Sequence, residues 1–245
     1  MEFSFDTAAY RNSVDWEKIF ALMRLAYSLA AAFLMVSGGA HAQDPGDDAL
    51  RLYAVNVVQN PPQSWPGYGV YLGNGLVITA AHVVGSASRT HPSVRIANLE
   101  LPAKAVKEGS LQQVDLTLLA IDEARLPVSL QLRRMPLCRI PPKPGEPVIV
   151  AIPEGIARST VMAPRLLPDD LRAKFPTVIK DVATTGNSGS GVFDAERKCL
   201  LGIMSQKLFS RAANVNSIVV KEKDIAKYFV PAAIIAAFIP NGYAN

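Results

Sequence analysis

The chain has 245 residues, of which 49% are hydrophobic and 19% charged, enough apolar material for a sizeable core in one or two compact units. Its formal net charge of +4 comes from lysines and arginines scattered singly or in pairs such as Arg133-Arg134, which argues against the basic stripe that a nucleic-acid partner requires. Three histidines and two cysteines give almost no support to a structural zinc site, and neither metal nor cofactor is expected.

Residues 1–22 are polar and carry several acids. They stand before an apolar run, Leu25 to Val36 (LAYSLAAAFLMV), which follows Arg24. Ser37 to Ala42 then end in a small-x-small site, Ala40-His41-Ala42. A positive start, a short apolar run and such a site make a secretory signal, cleaved before Gln43. The run is shorter than the ~20 residues a membrane span needs, so no stable anchor is expected after cleavage; an uncleaved anchor is the competing reading. A signal of ordinary form begins at Met23, which is the expected true start, with residues 1–22 a misassigned extension. The expected location is periplasmic or extracellular. Export permits disulfides, and Cys138 and Cys199 are expected to form one, against the alternative of two buried thiols.

Gln43 to Leu50 read as a polar mature tail, and Arg51 to Val58 as the first β-branched run. After a Pro-rich loop, Tyr68–Leu72 and Leu76–Thr79 flank Gly73-Asn74-Gly75, a hairpin signal. Short strands are expected at Val94–Ala97, Ala103–Val106 and Leu116–Ile121. Pro141 to Gly145 mark a break. A second set follows at Val148–Ile152, Ser159–Ala163, Thr177–Val182, Gly191–Phe193, Cys199–Met204 and Ser217–Val220. Many short strands around one break predict two β units, about residues 51–135 and 145–222. A packing helix is expected over about 223–239, closing a domain that spans 43–240.

One stretch, Thr184 to Asp194 (TTGNSGSGVFD), sets a serine among small residues just before a strand. By itself this is as readily a Gly/Ser turn. A serine nucleophile needs a base in reach and an acid to orient it. His41 falls in the signal and His91 in a polar loop, which leaves His82, at the end of the hairpin. Asp115 opens the apolar run Leu116–Ile121, where a carboxylate needs a partner; its competitor Asp122 lies at the far end beside Glu123. The order His82, Asp115, Ser188 excludes the α/β-hydrolase order, in which histidine comes last.

Val77 to His82 (VITAAH), Asp115 to Leu119 (DLTLL) and Gly186 to Ser190 (GNSGS) resemble the three motifs of trypsin-like serine peptidases. The resemblance is to the bacterial branch with the HtrA/Deg and glutamyl endopeptidases, and covers roughly residues 50–230. It implies an all-β fold of two perpendicular six-stranded antiparallel barrels with the site between them. It also implies a triad of Ser188, His82 and Asp115 that cuts polypeptides through an acyl-enzyme, with an oxyanion hole from the backbone N–H groups of Gly186 and Ser188. Asn187 replaces the acid of trypsin itself, so activation by an inserted N-terminus is not expected, and the chain ends too early for the PDZ domain of HtrA proteins. Ser190 is read as structural. By the same analogy the pocket for the residue before the cut is lined by Val182 and by Ser205 and Gln206. Val182 is not acidic and points to a small or medium apolar side chain, with Lys207 favouring an acidic one as the alternative. A silent binding protein and an esterase on the same triad are the competing functions. Oligomeric state is not legible.

Overall fold

The structure, a computed structural model, describes residues 45–62, 67–180, 188–212 and 221–243. The leader expected within 1–42, the strand expected at 217–220, Val182 and Gly186 lie outside the described residues.

Seven strands among the described residues form the first sheet: β1 (Ala54–Val58), β2 (Gly67–Gly73), β3 (Leu76–Thr79), β4 (Ser93–Ile96), β5 (Leu99–Pro102), β6 (Lys104–Glu108) and β7 (Thr117–Ala120). They lie in the order β5-β4-β1-β2-β3-β7-β6, all neighbours antiparallel. The β2–β3 turn is made by Asn74 and Gly75 at φ 53° and 70°, the left-handed pair that a tight hairpin demands. Six strands form a closed barrel: β8 (Pro147–Ile152), β9 (Gly155–Met162), β10 (Val178–Ile179), β11 (Gly191–Asp194), β12 (Leu200–Ala212) and β13 (Lys221–Pro231). The all-β, two-unit architecture is thus as expected. The first unit, however, is a seven-stranded sheet whose edges β5 and β6 do not pair with each other, where six strands had been expected. The extra strand is β5, joined to β4 by a turn at Ala97 and Asn98 with φ of 47° and 63°, which carries no glycine to announce it.

The C-terminal expectation fails in part. Within it only α1 (Ala232–Phe238) is helical; residues 223–231, expected to begin the helix, belong to the strand β13. Along it Phe229 is fully buried in the barrel core, and its neighbour Tyr228 is only half-buried. Pairing with β12 along ten residues fixes this register, and Pro231 ends the ladder as the N-cap of α1. Pairing with the preceding strand, from Ala212 opposite Lys221 to Gly202 opposite Pro231, has overridden weak helical spacing. No helix among the described residues is long and apolar enough to cross a membrane.

The two sheets share one large core, in which Val55, Val70 and Leu118 of the first sheet join Ile149, Phe193 and Leu200 of the barrel. The connection between them runs along β12, where Leu137 bridges Leu200 and the Cys138 N–H donates to the Leu200 carbonyl at 2.9 Å. Cys138 and Cys199 are disulfide-bonded there, tying that connection to the start of β12. The segment before β1 also reaches the barrel. Arg51 donates two hydrogen bonds to the Pro153 carbonyl, and buried Asp47 pairs with Arg158 and Lys198.

Candidate active site

His82 sits just past β3, in a single helical turn, Ala81–Val84, rather than at the strand's end. Ala80 is still extended, at φ −74° and ψ 141°, and the chain then turns. Ala80 and Ala81 are both buried, and their small side chains let this turn pack against the sheet. The imidazole is left 31% exposed, at the edge of the core.

Asp115 lies in the bend that leads into β7 and is 4% exposed. Its carboxylate accepts three hydrogen bonds: from the His82 backbone N–H at 3.0 Å, from His82 Nδ1 at 2.8 Å and from Ser205 Oγ at 2.5 Å. Burial pushes this carboxyl up, but the bonds from His82 and Ser205, with the attraction of the imidazole, outweigh it and hold the group below its ordinary value. Asp115 is therefore ionised at neutral pH. An ionised Oδ2 requires the His82 proton on Nδ1, which leaves Nε2 an acceptor, the tautomer a general base needs. The competitor Asp122 is used elsewhere, accepting from the Ala124 N–H at the start of a short helical turn, and is exposed. His91 is exposed as well.

Ser188 precedes β11 and is half-buried. Its backbone is held from both sheets. The Tyr68 N–H of β2 donates to the Ser188 carbonyl at 3.1 Å, and the Gly189 N–H donates to the Met204 carbonyl of β12 at 2.8 Å. Ser188 Oγ faces the Ser205 carbonyl at 3.5 Å. The turn requires glycine at 189: φ is +85°, and a Cβ would stand 1.9 Å from the Tyr68 carbonyl oxygen. Ser190 is fully buried and not exposed for attack.

Ser205 thus touches both acid and serine, a connection that its expected place in a specificity wall did not reveal. The sequence signal was a hydroxyl on the strand that follows the Ser188 loop and β11. Gln206 is half-buried opposite Tyr228 of β13. Tyr228 had not been singled out; burial raises its phenol, and the Asp115 charge adds to the shift, which places it in the field of the site. Lys207 is ion-paired with Asp224, and Lys227 is buried opposite Lys207. No group of three metal-ligating side chains occurs among the described residues.

The family description that matches the chain is the trypsin-like peptidase domain, over residues 67–203, more than half of its length. Sequence comparison with curated proteins yields no match. Among solved structures, the active form of the Mycobacterium tuberculosis protease Rv3671c superposes with a TM-score of 0.56 at 18% identity, covering 84% of this chain and 88% of that one. The serine endoprotease of Yersinia pestis gives 0.53 at 19% identity, over 78% of this chain and 63% of that one. The MamO protease domain of Magnetospirillum magneticum gives 0.51 at 18%, over 78% and 98%. At these identities the likeness is one of fold.

Proposed function

The chain belongs to the trypsin-like peptidase family, and on that premise we propose that it is an exported serine endopeptidase working through Ser188, His82 and Asp115. The observation that carries this reading is the His82–Asp115 pair. Its 2.8 Å contact, on an ionised and buried carboxylate, leaves Nε2 free to take a proton.

In the proposed reaction Ser188 Oγ attacks the scissile carbonyl of a bound polypeptide and passes its proton to His82 Nε2. Asp115 stabilises the imidazolium that forms. His82 then gives the proton to the leaving amine, and the acyl-enzyme forms. Water, deprotonated by the same Nε2, releases the product acid and restores the serine. The Gly186 and Ser188 N–H groups are proposed to bind the oxyanion, a role in which one donor is typically worth about 10²–10³ in rate. Before attack, Ser188 Oγ must exchange the Ser205 carbonyl, 3.5 Å away, for the imidazole. Export is supported by the disulfide together with the leader-like sequence of residues 23–42.

A second reading draws on that same contact: a serine kept on the Ser205 carbonyl belongs to a protein that binds polypeptide without cutting it. Incubation of mature protein with casein separates the two. Cleavage by the wild type that disappears in Ser188→Ala supports the peptidase. Retained cleavage in that variant rejects the assignment of Ser188, and binding without cleavage favours the second reading.

A further inference from the structure

Thr79 ends β3, three residues before His82, and is fully buried. A hydroxyl at such a place costs stability unless it finds a partner. Thr79 Oγ1 donates to the Tyr68 carbonyl at 2.5 Å. Tyr68 in turn donates its own N–H to the Ser188 carbonyl at 3.1 Å. Gly189 rests directly on this junction: a Cβ built there would lie 1.9 Å from the Tyr68 oxygen and 2.6 Å from Thr79 Oγ1. Thr117, the cross-strand partner of Thr79 on β7, makes an instructive contrast. Its hydroxyl is buried with no hydrogen-bond partner among the described residues. Burial alone therefore does not bring a threonine in this sheet a partner, and the aim of the Thr79 hydroxyl is specific.

We infer that Thr79 is a positioning residue for the nucleophile. Its hydroxyl holds the Tyr68 carbonyl on which Gly189 rests, one peptide unit on from the Tyr68 N–H that holds the Ser188 carbonyl. The strand that delivers the base His82 then also fixes the height of the serine beside it. The barrel side is held separately by the Gly189 N–H on Met204, so the turn is clamped between the two sheets and only one jaw depends on Thr79. This inference rests on the reading of Ser188 as nucleophile.

Thr79→Val keeps the branched shape and removes the donor; Thr79→Ser keeps the donor. Both are made in the full chain and measured for peptide kcat and KM, for the rate of labelling by a fluorophosphonate, and for Tm. In Thr79→Val, kcat and the labelling rate fall about 10–100-fold, as misplacement of a reacting group does, while KM stays within about twofold. Thr79→Ser recovers to within about threefold of wild type. A hydroxyl that only stabilises the fold would lower Tm and leave kcat per folded molecule unchanged, and that result overturns the inference. A serine variant as slow as the valine variant overturns it too. If Thr79→Val does not fold, Thr79→Ala makes the same comparison. Ser188→Ala is measured alongside. Its full activity would sink the nucleophile assignment, whereas a dead Ser188→Ala beside a fully active Thr79→Val would sink only the role of Thr79.

Discussion

Replacing Asp115 by Asn changes one atom at the centre of the site and reverses a proton. Oδ1 still accepts from the His82 N–H, now 3.0 Å away, so the turn that carries the base keeps its anchor. The amide NH2 takes the place of Oδ2, facing His82 Nδ1 at 2.8 Å and Ser205 Oγ at 2.5 Å. Ser205 can rotate its hydroxyl and accept. Nδ1 can accept only by giving up its proton to Nε2, and Nε2 then has no lone pair for the proton of Ser188. The expected loss is about 10⁴ in kcat, or about 5.5 kcal/mol of transition-state stabilisation, with KM little changed. Stability should fall by about 1–3 kcal/mol, the scale of a charged hydrogen bond lost in a buried place. Peptide hydrolysis measured beside a urea unfolding curve separates the two effects. An Asn variant that unfolds like the wild type and keeps kcat within tenfold refutes the reasoning, since the tautomer would then not matter.

Gly189→Ala should cost about 3 kcal/mol or more and abolish turnover, because its Cβ meets the Tyr68 carbonyl at 1.9 Å on a φ of +85°; a thermal melt and a peptide assay check both. The Cys138–Cys199 bridge spans 61 residues, so its replacement by two serines should lower stability by about 4 kcal/mol in denaturant, and a change below about 1 kcal/mol would contradict this. Asp194 is buried, which pushes its carboxyl up, but backbone donation from Arg197, the interaction with Glu146 and the Arg197 side chain bring it down from 3.8 to about 2. A depressed carboxyl contributes stability that is fully present above its ordinary value and is lost as pH falls through its folded value. Asp194→Asn should therefore be about 2 kcal/mol less stable than wild type at pH 6, with the gap closing between pH 4 and about 2. A gap that persists at pH 2 would contradict the assignment.

Much of the candidate site was legible because the chemistry proposed for it depends on local patterns. Small residues before His82, an acid at the mouth of an apolar strand and glycines around Ser188 can each be read within about six residues. The Asn74-Gly75 hairpin was readable for the same reason. What escaped depends on pairing and on turn dihedrals that the residue types do not announce. The run Lys221 to Phe229 has charges at helical spacing, and only its pairing with β12 makes it a strand. β5 was missed because Ala97 and Asn98 take left-handed dihedrals without a glycine between them. Ser205 looked like a wall residue until the fold turned its hydroxyl onto Asp115, 90 residues away. Thr79 belonged to a recognised motif, yet its contact with Tyr68 appears only when β2 and β3 are laid side by side.

Treatment with a fluorophosphonate, followed by mapping of the adduct, tests the central claim most directly. If His82 on Asp115 activates Ser188, a single phosphonyl group should appear on the peptide bearing Ser188. It should be absent from His82→Ala and much slower to form in Asp115→Asn. A folded wild-type protein that acquires no adduct, or acquires it at another serine, would contradict the account.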